Sequence, residues 1–183
     1  MKTFEFTIVA SGVDPTADDF GDRFYDAGCN DALVAFQKGH TIIDFAREAN
    51  SIDEAIASAV ENVLAAGAKI DRIEPDPLVN LTEIAARTHV TRAAISNYAK
   101  GTRGGKDFPP PIARVTSDTP LYDWAEVASW LALNHKLPIE AAVCAGVFKE
   151  ANAAIERGEI HLGDILKKRA HDDEASLEAM GLR

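Results

Sequence analysis

The chain has 183 residues, 46% of them hydrophobic and 26% charged, and carries a formal net charge of −10. This length suits one ordinary domain or two small ones, and the hydrophobic share excludes wholesale disorder. Averaged over the chain, the acidic balance argues against a polyanionic partner such as nucleic acid.

The first predicted element is a strand over residues 4–10, where Phe4, Phe6, Ile8 and Ala10 alternate at period two and share one face. Met1-Lys2 leads directly into it, and no apolar run reaches ~18 residues, so neither a signal peptide nor a membrane span is expected. After Ser11-Gly12 and Asp14-Pro15, the spacing of Phe20, Phe24 and Ala27 predicts a helix over 16–27, stopped by Gly28. Strands follow over 32–37 and 41–47, joined by a short hairpin at Lys38-Gly39-His40. Asn50 or Ser51 is placed to cap the next helix, with Glu54 completing a capping box from Ser51. Its stripe is Ile52, Ala55, Ile56, Ala59, Val60, Val63 and Leu64; Gly67 ends it, and a strand over 69–74 closes the segment. The order βαββαβ predicts a ferredoxin-like split βαβ domain over residues 1–76, within an α+β fold class. Such a frame hosts many activities, so it fixes no function by itself.

The acidic average conceals an uneven distribution. Residues 1–77 hold 15 acidic and 6 basic side chains, net −9, whereas residues 78–137 stand at +2 and residues 138–183 at −3. Over positions 87–114, Arg87, Arg92, Lys100, Arg103, Lys106 and Arg114 face Asp107 as the sole acid. With a screening length of about 8 Å at physiological salt, such a patch acts nearly independently of distant acidic regions.

Residues 77–137 form the second predicted domain. Thr82 is expected to cap a short helix with Ile84 and Ala85 inward, His89 to occupy a tight turn, and Val90 to fill the angle between two helices. Thr91 caps the second helix, whose inward residues are Ala94, Ile95 and Tyr98. A glycine-rich basic loop over 101–107 leads through Phe108-Pro109-Pro110-Pro111 into a hairpin, then into a helix capped by Asp123 that carries Trp124 and Trp130. Of these two tryptophans, six positions apart, one is expected in the core and the other partly exposed.

The stretch from Leu81 to Gly101, with its hydroxyl cap, acidic residue, apolar-Ala pair, turn, Val and Thr-Arg, resembles the winged helix-turn-helix of MerR-like and excisionase-like proteins. The likeness spans residues ~78–135. It departs at His89, where glycine or asparagine is commoner, although histidine tolerates positive φ better than branched residues do. The resemblance implies a bacterial transcriptional regulator that binds double-stranded DNA as a homodimer. Residues not claimed by the core then face the duplex: Thr91, Arg92, Ala93, Ser96, Asn97 and Lys100 on the second helix, with Arg92 suited to guanine, Asn97 to adenine, Thr91 and Ser96 to phosphate or base edges, and Lys100 to phosphate. Thr82, Arg87, Arg103, Lys106 and Arg114 are the expected backbone or groove contacts.

Residues 138–183 are expected to be helical, with a stripe of Ile139, Ala142, Val143, Gly146, Val147, Glu150, Ala151, Ala154 and Ile155 that either packs on the winged helix or forms a dimer seam. The last dozen residues are expected to be mobile. Two distant cysteines, Cys29 and Cys144, point to reduced thiols in a cytoplasmic protein. The histidine spacing and the acids Asp14, Asp18, Asp19 and Asp22 match no metal-ligand pattern, so no metal or cofactor is expected. No nucleophile–base pair or phosphate loop argues for an enzyme. The alternative function is an antitoxin-like interaction module whose acidic N-terminal domain binds a basic protein and which also represses its own operon.

Overall fold

The computed structural model describes residues 1–102, 104 and 106–181. It is a mixed α+β protein whose chain divides into two compact units, one of residues 1–75 with 147–170, the other of residues 76–146 with the chain from His171 onward. Residues 138–183 are thereby shared between the two units.

In the first unit the elements run β1 (Lys2–Ser11), α1 (Phe20–Asp26), β2 (Ala32–Gln37), β3 (His40–Ala49), α2 (Ile52–Ala65) and β4 (Lys69–Glu74). The strands lie side by side as β2-β3-β1-β4, every neighbour antiparallel. Phe6 pairs with Phe45 and Ile8 with Ile43 across β1 and β3, and the two phenyl rings stack at 5.2 Å. Phe6, Ile8 and Ala10 are buried on the face that the period-two pattern selects. Helix α2 packs on β1, β3 and β4 and buries Ala55, Ile56, Ala59, Val60 and Val63, which is most of the stripe read from the sequence.

Three local expectations are corrected here. Helix α1 begins at Phe20, because Asp14 Oδ1 takes the Thr16 N–H at 2.9 Å and its hydroxyl at 2.7 Å, holding that stretch in a turn. Lys38 and Gly39, at φ 52° and 84°, alone form the β2–β3 turn, so His40 belongs to the strand. Ser51 occupies the N-cap of α2 but makes no side-chain cap bond; Glu54 instead accepts from Asn50 Nδ2 at 3.1 Å.

A buried polar latch ties β3 to α2. Arg47, 7% exposed, donates to both carboxylate oxygens of Asp31 at 2.8 and 2.9 Å, to Ser58 and Asn62, and to the Gly28 carbonyl. These bonds from Arg47 hold the Asp31 carboxyl below the ordinary carboxylate range. Gly28, at φ 96°, admits this arrangement: an added Cβ would lie 2.8 Å from Asn62 Nδ2. Beside it, burial pushes the Cys29 thiol up to about 11, and neither Cys29 nor Cys144 forms a disulfide.

The second unit contains β5 (Leu78–Val79), α3 (Leu81–Thr88), α4 (Arg92–Ala99), β6 (Tyr122–Asp123) and α5 (Trp124–Leu133). Its core gathers Val79, Ile84, Ile95, Tyr122, Val127, Ala128 and Leu131. Strand β5 pairs with β6 and is too short to leave a periodic signature in the sequence. Trp124 and Trp130 are both buried, at 7% and 8%, correcting the expected split. Each lies against an aromatic or cationic neighbour on its own side of α5, so six-residue spacing does not expose either.

Helices α6 (Ile139–Glu156) and α7 (Gly163–Ala179) complete the described chain. The apolar stripe of α6 is consumed by packing: Ala142 and Ala145 join the second unit's core, while Val147, Phe148, Ala151 and Ala154 are buried from Val147 on. Helix α7 continues to Ala179, and Leu177 is 4% exposed in the second core. Among the described residues, no helix is long and apolar enough to cross a membrane.

Candidate nucleic-acid interface

The site is built from two short helices and the chain that follows them. Asn80 caps α3, accepting the N–H groups of Thr82 at 2.8 Å and Glu83 at 3.1 Å, while Glu83 Oε2 accepts the Asn80 N–H at 2.7 Å. This reciprocal box displaces Thr82 from the capping role expected of it and leaves its hydroxyl exposed in the first turn. His89 ends α3 in the left-handed conformation at φ 55°, reversing the chain in one residue. Thr91 then caps α4 through its hydroxyl, which accepts the Ala94 N–H at 3.2 Å.

On α4 the inward residue is Ile95, fully buried, with Tyr98 partly buried against the same core. At about 100° per residue, Arg92, Ala93, Ser96, Asn97 and Lys100 fall within a single outward arc. Thr91, Arg92, Ala93 and Lys100 are exposed, and Ser96 and Asn97 are half-buried. Arg92 Nε reaches the Thr82 hydroxyl at 3.2 Å, so one residue of α3 and one of α4 meet on this surface. Thr102 closes the helix by donating its N–H and hydroxyl to the Asn97 carbonyl, at 2.9 and 3.1 Å.

The other expected contact residues diverge. Arg87 is half-buried: its guanidinium donates to the Asp76 carbonyl at 3.0 Å and lies 5.3 Å over the Trp124 ring, a structural engagement that the sequence did not disclose. Lys106 is exposed, and its carbonyl accepts the Trp130 indole N–H at 3.0 Å, pinning the far end of the glycine-rich loop. Phe108 follows immediately and packs on Trp130 at 5.0 Å and Tyr122 at 5.9 Å; Tyr98 joins Trp130 at 5.3 Å. The Tyr98–Trp130–Phe108 cluster therefore fixes both ends of the basic loop to α4 and α5. Arg103 lies outside the described residues.

The hairpin is smaller than expected. Ala113 bridges Leu121 in antiparallel fashion, with N–H to carbonyl bonds of 3.2 and 2.9 Å, and the intervening tip carries Arg114, exposed at φ 49°. Ile112 and Val115 flank it, 53% and 61% exposed. The tip turn is held by the Ser117 N–H and hydroxyl, both donating to the Arg114 carbonyl at 2.9 Å. Lys106 thus belongs to the loop before the hairpin and Arg114 to the hairpin itself. Sequence reasoning missed Lys136, whose ammonium lies 5.5 Å from the Tyr98 ring; a lone lysine beyond a helix end gives no signal.

The acidic run near α1 is used internally: Asp14 holds Thr16, and Asp19 pairs with Arg23 at 2.7 Å. Among the described residues, no group of three or more His, Cys, Asp or Glu is placed to hold a metal ion. No family model matches the chain, and no curated protein or solved structure matches it.

Proposed function

We propose that the chain is a bacterial, cytoplasmic transcriptional regulator that binds double-stranded DNA sequence-specifically as a homodimer, through a winged helix-turn-helix attached to a ferredoxin-like domain. One observation carries the reading: two short capped helices meet at a left-handed His89, with Arg92, Ser96, Asn97 and Lys100 on the outward arc of the second. That is the geometry a recognition helix needs to present polar side chains to base edges in the major groove. The basic loop at Lys106 and the hairpin tip at Arg114 supply cations beside it, as a wing contacting backbone or minor groove would. The β2-β3-β1-β4 order supports the ferredoxin-like description of the first unit. The site works by non-covalent binding and calls on no cofactor.

The test is duplex titration with a pool of random sequences and with the sites recovered from it. Affinity should fall about tenfold or more between roughly 50 and 200 mM salt, as phosphate contacts release counterions. Arg92→Ala should cost about 1–3 kcal/mol on the preferred site and relax one base position, whereas Lys106→Ala should weaken all duplexes alike. Absent duplex binding, or an affinity independent of salt, would refute the proposal.

A second reading, the antitoxin-like module with a basic protein partner, draws on the register of the first sheet. Glu5, Asp44 and Glu74 alternate away from the buried Phe6–Phe45 face, and Thr7 pairs with both Asp44 and Glu74. A flat response to salt in the duplex titration favours this reading.

A further inference from the structure

The two edges of the first sheet are treated differently. On β4, the Asn152 side chain accepts the Ile73 N–H at 2.9 Å and donates to the Ile73 carbonyl at 2.9 Å, occupying main-chain groups that another strand would use. No strand or side-chain bond of this kind covers the outer side of β2 among the described residues. The Ala46 N–H donates to the Asp31 carbonyl at 3.1 Å, which sets the hydrogen-bonding parity of the β2–β3 pair. By alternation, residues 33, 35 and 37 bond to β3, and the main-chain groups of residues 32, 34 and 36 point off the edge. Of these, the Ala32 N–H is taken by the Cys29 carbonyl at 3.1 Å, leaving the Val34 and Phe36 N–H groups and the Ala32, Val34 and Phe36 carbonyls directed outward.

The side chains along this edge are equally particular. The strand reads Ala-Leu-Val-Ala-Phe-Gln, without a charge, in a segment that stands at −9. Leu33 is 70% and Phe36 47% exposed, so the strand lacks the lysines, prolines or inward charges that usually blunt a sheet edge.

We infer that β2 is the self-association edge of this protein, pairing antiparallel with β2 of a second copy about a two-fold axis at Val34. In that register the Val34 N–H groups bond reciprocally to the Val34 carbonyls, and each Phe36 N–H meets an Ala32 carbonyl, the very groups that are directed outward. Small meets large at each step, Ala32 against Phe36 and Leu33 against Ala35, while Asp31 faces Gln37, so no like charges are opposed. This self-complementarity selects a second copy over an unrelated strand, and an uncharged strip is where two acidic units can approach. An isologous contact of this kind closes as a dimer. Much of the apolar stripe of α6, Ala142, Val147, Ala151 and Ala154 among it, is buried inside the chain. The inference rests on the two-fold duplex-binding reading for its purpose, but its test uses no DNA.

The full chain should elute at about 39 kDa by light scattering, twice the 19.7 kDa protomer, at micromolar concentration. Phe36→Lys, and separately Ala35→Lys, should return it to the protomer mass with the circular dichroism of the parent. On the unaltered protein, the Val34 and Phe36 amides should exchange with solvent at least about tenfold more slowly at high than at low concentration. A protomer mass at all concentrations, a dimer that survives both lysine variants, or Val34 and Phe36 amides whose exchange ignores concentration would each overturn the assignment. If a lysine variant loses its fold, the amide measurement decides alone.

Discussion

At the scale of single residues, two side chains show how local chemistry sets the fold. His89 holds φ at 55° with a Cβ, which costs a branched residue more than it costs histidine and costs glycine almost nothing. His89→Gly should therefore leave urea stability within about 1 kcal/mol of the parent, on the favourable side, while His89→Val should lose about 1–2 kcal/mol. Equal midpoints for the two would show that the turn is not left-handed. Arg47 and Asp31 illustrate the opposite case, a charge pair held in place by burial. Asp31→Asn should destabilise by about 2–3 kcal/mol, below the 3–5 of a fully enclosed pair, because the Asp31 side chain is 29% exposed. The sign with pH follows from the depressed Asp31 carboxyl: its contribution is complete above the unfolded value near ~3.9 and is lost as pH falls through the lower folded value. The gap in thermal midpoint between parent and Asp31→Asn should thus narrow in acid, and a constant gap would refute the pairing.

At the scale of elements, edges and ends matter more than interiors. Asn152 sits in an alanine-rich stripe of α6, yet it satisfies both main-chain groups of Ile73 and also donates to the Phe148 carbonyl at 2.9 Å. Asn152→Ala leaves the buried Ile73 N–H without its acceptor and should cost about 2–3 kcal/mol. Amide exchange at Ile73 should accelerate in step; unchanged exchange would show that the edge is closed by something else. Element positions were largely legible beforehand: period two located β1, and the i, i+3, i+4 stripe located α2. Caps were less so. Asn80 and Thr82 both precede Glu83 with capping chemistry, and only the actual backbone dihedrals place the first of them at the N-cap. The hairpin after Phe108 was anticipated as strands but is a single bridge, since Pro109–Pro111 removes the N–H groups a longer ladder would need.

At the scale of the whole chain, charge is the organising variable. Opposed to the −9 of residues 1–77, positions 87–114 stand at +5, and the outward arc of α4 lies within them. The steep salt dependence expected of the proposed duplex binding belongs to this scale, because it would set contacts between the basic segment and phosphate against a chain whose average charge repels phosphate. The acidic surplus would then suppress indiscriminate association and leave selectivity to the helix. The edge of β2 complements this, being the uncharged strip along which two such acidic segments can meet.

By itself the sequence determined the element order of the first unit, the positions of the buried stripes and the concentration of cations in one segment, because these follow from periodicity, capping chemistry and charge, all of which act over a few residues. Only the tertiary structure decided the fate of side chains whose partners are distant in the chain. It drew Arg87 onto Trp124 and the Asp76 carbonyl, buried both tryptophans, spent the α6 stripe inside the chain and closed β4 with Asn152 while leaving β2 open. The reason is that a stripe, an amide or a guanidinium announces that it must be satisfied, whereas which surface satisfies it depends on packing between segments many residues apart.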